Sequence, residues 1–140
     1  KTMSTLQVAT IKSASSAAPQ FQNSSGTEKG QLCKVWVNFN QSGTTAIRES
    51  FGVSSISDQG TGRTRINFSI SFSNANYCVT GVLGQEGTNG DHGNAPMIRD
   101  GHSESSFMLA SRVDIECHRA TSSVEFMDKK TVCLAIFGDG

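Results

Sequence analysis

The sequence predicts an all-β fold, an antiparallel β-sandwich or small barrel preceded by an extended N-terminal strand and a linker. Three observations carry this. Apolar and polar residues alternate over whole segments, as they do where successive strand side chains point to opposite faces. Other segments are near-continuous apolar runs of strand length bounded by Gly, Asn or Lys. No window sustains the i, i+3, i+4, i+7 apolar repeat of a capped helix.

Taken in order, "TLQVATIKS" is compatible with one extended strand, in which Leu6 and Val8 are core or interface candidates. The stretch "SASSAAPQFQNSSGTEKG" after it is rich in Ser, Ala, Gly and Gln and has little to bury, so it reads as a flexible linker. A strand followed by such a linker cannot fold alone, so its partner is expected to be another copy or a larger assembly. The chain therefore divides into residues 1–32, for assembly or attachment, and residues 33–140, the sandwich module.

"KVWVNFN" places Val35, Val37 and Phe39 on one face and Trp36 on the other. Trp36 then packs the second face of a sandwich or meets another chain, and both faces of the strand are covered. "TTAIRESFG" allows a marginal helical turn series. "VSSIS" and "TRINFSISF" flank "DQGTGR", whose two glycines supply the positive backbone angles of a hairpin loop. In "RINFSISF", Ile66, Phe68, Ile70 and Phe72 share a face. "NYCVTGVLG" and "TVCLAIFG" suit strands buried on both sides. "FMLASRVDIECH" reads as one strand with Phe107, Leu109, Val113, Ile115 and Cys117 inward. Arg112, Asp114, Glu116 and His118 lie opposite, His118 as a solvated strand histidine. "SSVEFM" adds a short strand that turns at "DKK".

Twelve Lys and Arg balance twelve Asp and Glu without a basic run, so there is no electrostatic footprint for nucleic acid. No segment approaches the length of a membrane span or has the apolar centre of a secretory signal, and the chain is expected to be soluble and not exported by that route. Cys33, Cys78, Cys117 and Cys133 are widely spaced within apolar or alternating runs and are expected as buried free thiols, with disulfide or metal as the alternatives. No GxSxG elbow, paired-carboxylate signature or metal-ligand spacing is present, so no catalytic residue, metal site or cofactor is assigned. The longest polar stretch, residues 84–106, gathers Asp91, His92, Asp100 and His102 among glycines. Loops of this length without secondary structure are uncommon unless they bind something, and an unligated recognition loop is the expectation.

The segment "KVWVNFNQSGTTAIRESFGVSSISDQGTGRTRINFSISFSNANYCV" resembles the C-terminal module of tail-fibre and related virion proteins of marine bacteriophages, especially those infecting cyanobacteria. The matching pieces are residues 36–40, 46–48, 53–62, 66–68, 74–77 and 135–139, and "MSTLQVATI" is similar to the start of some small members. Arg63 and Arg65 stand where members more often carry an acidic or aromatic residue, and residues 84–106 match no family pattern. The resemblance implies a non-enzymatic virion structural protein, a homotrimer assembled in the bacterial cytoplasm beside other tail or capsid proteins. Its exposed loop would meet a host-surface glycan or protein through Asp91, His92, Asn94, Arg99, Asp100 and His102. A decoration protein that never touches the host, and a polysaccharide depolymerase, are the alternative functions.

Overall fold

The structure is a computed structural model that describes residues 7–12, 21–84, 96–98, 107–120 and 124–138. It is all-β, with no helix among the described residues and two antiparallel sheets packed face to face. Among the described residues thirteen strands run in chain order: β1 (Phe21–Gln22), β2 (Glu28–Gly30), β3 (Val35–Asn40), β4 (Ala46–Phe51), β5 (Val53–Asp58), β6 (Arg63–Phe68), β7 (Cys78–Leu83), β8 (Met97–Ile98), β9 (Met108–Leu109), β10 (Arg112–Glu116), β11 (His118–Ala120), β12 (Val124–Phe126) and β13 (Val132–Phe137). One sheet has the order β4-β3-β13-β7. The other runs β5-β6-β10-β8, with β9 also paired to β10 along the edge that β8 occupies.

The period-two pattern decides what faces inward. Val35, Val37 and Phe39 of β3 and Val132, Leu134 and Ile136 of β13 are buried against Ile66 and Phe68 of β6 and Val113 and Ile115 of β10. Val53, Ile56, Val79, Leu83, Ile98 and Met108 pack around this core. Phe72 and Tyr77 close one end, their rings 4.7 Å apart and each edge-on to Phe68. The Tyr77 hydroxyl donates to Arg112 O at 2.7 Å, and burial pushes its pKa up to about 12.

The chain passes from one sheet to the other at Gly52, between β4 and β5. Its φ is 72°, and a Cβ there would meet Lys34 O at 2.6 Å. The expected hairpin around "DQGTGR" joins β5 to β6, with Gly60 and Gly62 both at positive φ. Arg63 and Arg65 find partners across the β6–β10 pair: Arg63 Nε lies 3.2 Å from Glu116, and Arg65 forks onto both oxygens of buried Asp114 at 2.8 Å.

Several expectations are corrected. "TTAIRESFG" is strand β4, because backbone pairing with β3 overrides its weak helical spacing. A bulge opposite Asn38 and Phe39 leaves Arg48 as the extra residue, and its guanidinium bonds Asn38, Thr131 and the Lys130 carbonyl. β6 ends at Phe68, so Ile70 leaves the shared face and is 43% exposed, while Phe72 returns to the core. "FMLASRVDIECH" is not one strand: a two-residue turn at Ala110 and Ser111 folds β9 back on β10. β7 is an edge strand, half-buried on its inner side and exposed on the other, and β13 is buried on its inner side and half-buried on the other, so neither is buried on both sides. The polar stretch 84–106 is interrupted by β8, paired to Ile115 and Glu116. The segment expected as a linker holds the β1–β2 hairpin, whose turn is organised by Asn23 Oδ1 accepting from the N–H groups of Ser25 and Thr27. Residues 7–12 form no strand, and Leu6 lies outside the described residues. All four cysteines are free thiols, but only Cys117 is buried and Cys78 is exposed.

Candidate interaction surface

Pairing across the four-stranded sheet puts Phe51, Trp36, Ala135 and Thr80 in one row on the face turned away from the core. The next row runs Glu49, Asn38, Cys133 and Val82, and Phe137 and Cys78 pair beyond. Alternation forces this: with Val35, Val37 and Phe39 inward, Trp36 must point outward. Trp36 is 37% exposed, Phe51 59% and Val82 63%. Trp36 and Phe51 adjoin, Val82 lies on the far strand beyond Ala135 and Cys133, and Glu49 and Asn38 with the Arg48 guanidinium share the face, a mixed apolar and polar surface that suits an interaction site.

A second constellation lies at the end of the sandwich where β3 leaves its sheet. Gln41 is buried; its Nε2 donates to Thr64 Oγ1 of the opposite sheet at 3.0 Å, and its Oε1 accepts from Lys129 N at 3.1 Å. Lys129 is fully buried with Nζ 3.3 Å from Met127 Sδ, and Asp128 accepts from Gly62 N at 2.6 Å. Cys117 sits in this plug. Its thiol is pushed up to about 12, first by burial, against the smaller opposing effects of Gln41 and Lys129. At neutral pH it holds its proton and is no nucleophile. Beside it, Arg63 stacks on Phe126 at 4.1 Å, and Glu116 lies between Arg63 and His118 Nε2, the latter at 3.4 Å. This end is a clamp that locks two sheets and the β11–β12 hairpin together.

Of the residues singled out from the sequence, Phe39 lies at the centre of the core and Trp36 on the outer face. Val8 is 51% exposed in residues 7–12. Asp91, His92, Asn94, Arg99, Asp100 and His102 lie outside the described residues. His118 is not a solvated strand histidine: it is buried against Phe126, rings 4.7 Å apart, because β11 folds onto β12 instead of continuing β10. Phe51 and Val82 were missed. The signal for Val82 was present in "CVTGVL", where Val79 and Val82 have opposite parity and cannot both face one core. Among the described residues no group of three or more His, Cys, Asp or Glu is arranged to hold a metal. No family model, no curated protein and no solved structure matches the chain.

Proposed function

We propose that the chain is a non-catalytic bacteriophage virion module of the tail-fibre or fibre-tip kind, which carries a host-recognition loop on a rigid sandwich. The observation that carries the reading is where the fibre-like segments fall. Residues 36–40 and 46–48 lie in β3 and β4, 53–62 and 66–68 in β5, its turn and β6, and the last segment begins in β13. The resemblance is thus to a two-sheet scaffold. The polar residues of 84–106 that match no family pattern are inserted between β7 and β10, flanking β8. A constant framework with a variable polar insertion suits weak contacts multiplied over several copies.

The test is adsorption of the purified full chain to marine cyanobacterial cells. It compares the unaltered protein with one in which Asp91, His92, Asn94, Arg99, Asp100 and His102 are all alanine. These substitutions spare β8, whose Ile98 packs on the core. Binding by the unaltered chain that the sixfold variant loses, at unchanged melting temperature, is the expected result. Binding that survives the variant removes the loop from recognition, and absence of binding leaves a decoration role in its place.

A further inference from the structure

The outer face of the second sheet holds the residues that alternate with its core positions. Ile66, Val113 and Ile115 point inward, so Arg63, Arg65 and Asn67 of β6 and Arg112, Asp114 and Glu116 of β10 lie outward. On these two strands the face sets three guanidinium groups against two carboxylates. Both carboxylates are taken: Arg65 forks onto Asp114, and Glu116 lies between Arg63 and His118. Arg112 is the cation left over. Its side chain makes no ion pair or hydrogen bond among the described residues, and its Nε is buried without an acceptor. A donor sealed from water in this way is unfavourable until an acceptor reaches it.

Register places Arg112 in a row with Leu109 on one side and Asn67 and then Ser55 on the other. With neighbouring strands about 4.8 Å apart, the row spans about 14 Å. Its polar groups are not exhausted. Asn67 Nδ2 donates to Ser55 Oγ at 3.0 Å, which leaves Asn67 Oδ1 to accept and the Ser55 hydroxyl hydrogen to donate. The row thus offers an apolar contact, a cation, an acceptor and a donor in succession along one open sheet.

We propose that this row binds an acidic polysaccharide, with Arg112 forking one carboxylate or sulfate group of the chain and Asn67 and Ser55 bonding hydroxyls of the adjoining sugar. A guanidinium matches such oxyanions with two parallel N–H bonds. Nothing directional holds the Arg112 head group, so it can turn at small cost until Nε–H and one amino end both meet the anion. One spare cation beside amide and hydroxyl groups fits a polymer whose charges are separated by neutral, hydroxyl-bearing atoms. A nucleic acid, charged at every step, calls for a run of basic groups that this neutral chain lacks. The proposal uses no residue of 84–106 and holds for a virion protein or any other.

The experiment is calorimetric titration of the purified full chain with hyaluronate, which carries carboxylates, dextran sulfate, which carries sulfate esters, uncharged dextran, and free sulfate. Binding of at least one acidic polymer and not of dextran is expected, and the two acidic arms tell which oxyanion is held. Arg112→Gln is expected to weaken that binding by at least about ten-fold at an unchanged melting temperature, the loss of one charge-assisted contact. Lys12→Gln removes the same charge from residues 7–12, outside both sheets, and is expected to change it by less than about two-fold. Asn67→Asp sets a carboxylate across from Arg112; the new ion pair occupies the guanidinium, so binding is lost while the melting temperature does not fall. The proposal is overturned if neither acidic polymer binds, if dextran binds as tightly, or if Arg112→Gln weakens binding no more than Lys12→Gln does. Retained binding in Asn67→Asp overturns it equally. Free sulfate that binds as tightly as the polymers makes the row a small-anion site and overturns the polysaccharide assignment. None of these readouts involves cells or residues 84–106, so failure here is distinct from failure of the adsorption test.

Discussion

Replacing Gln41 with leucine removes both side-chain hydrogen bonds that tie the end of β3 to the opposite sheet and to the chain before β13. The Nε2 bond to Thr64 Oγ1 is 3.0 Å and the Lys129 N bond to Oε1 is 3.1 Å, and both partner residues are buried. Leucine is close to glutamine in volume, so the cavity contribution is small, and the cost lies in the groups left without partners. A buried donor or acceptor stranded in this way costs about 1–3 kcal/mol. The Thr64 hydroxyl can rotate and takes the lower figure, whereas the Lys129 N–H is fixed by the backbone and takes more. The sum is about 3 kcal/mol, and at about 4 °C per kcal/mol for a domain of this size the melting temperature falls by about 12 °C. Thr64→Val alone is expected to cost about 1 kcal/mol, and in the double variant Gln41→Leu/Thr64→Val that same loss is not paid twice, so the pair couples by about 1 kcal/mol. The assay is urea and thermal unfolding followed by far-UV circular dichroism on the two single variants and the double. A Gln41→Leu loss under about 0.5 kcal/mol, or strict additivity in the double variant, would refute the reasoning.

Two other perturbations read different parts of the fold. Gly62→Ala puts a methyl group 2.6 Å from Cys117 O and 2.7 Å from Met127 N at a φ of 68°, whereas Gly43→Ala, at 73°, meets open space. The first is expected to cost more than about 3 kcal/mol and the second only the left-handed strain of about 1 kcal/mol, so equal melting temperatures would show that backbone clash at Gly62 is absent. The thiols separate by burial: Cys78 reacts with a maleimide in the folded protein and Cys117 only on unfolding. Because the Cys117 pKa rises from about 9 unfolded to about 12 folded, the unfolded chain loses its proton first. Stability contributed by the protonated thiol is complete below about pH 9 and is lost as pH rises towards 12. Tyr77, raised from 10.0 to about 12, adds to the same decline. Cys117→Ala should flatten the part of this slope that begins near pH 9, and an unchanged slope would mean that the thiol is not held protonated by burial.

The β-sandwich was legible because strand periodicity survives local error. β3, β6 and β10 each show it over at least five residues, β13 is legible as a continuous apolar run of strand length, and those four strands supply most of the core. What was not legible followed from parity. In "FMLASRVDIECH" the odd positions Phe107, Leu109, Val113, Ile115 and Cys117 are apolar with Ser111 alone between them, yet the turn at Ala110 and Ser111 pairs Met108 with Val113 and Leu109 with Arg112. Directly paired residues share a face, so a two-residue turn exchanges odd for even. Met108, and not Leu109, packs on the core beside Val113. The bulge at Arg48 makes the same exchange in β4. Ile47 and Phe51, four apart, would share a face in a regular strand or lie on one side of a helix. Instead Phe51 pairs with outward Trp36, and Ile47 pairs with inward Phe39. A single inserted residue set by tertiary pairing leaves no mark in the local pattern.

The candidate surface was half legible for a related reason. "KVWVNFN" places an aromatic opposite three core residues and so a second apolar face, but hydrophobic pattern does not tell whether any layer covers it. The structure narrows the choice. The second sheet packs on the Val35, Val37 and Phe39 face, and the outer face of β3 continues through Phe51 on one side and towards Val82 on the other, both more exposed than Trp36. An exposed aromatic pair on one sheet and an N-terminal segment with no described residue in the core are two separate costs to a lone chain in water. The alternation in β3 sets a residue that the core needs beside one that it does not, and mutations at Phe39 and Trp36 should distinguish them. Phe39→Ala is expected to cost about 3–5 kcal/mol and Trp36→Ala, on the outer face, clearly less, and equal falls in melting temperature for the two variants would refute the inward and outward assignment.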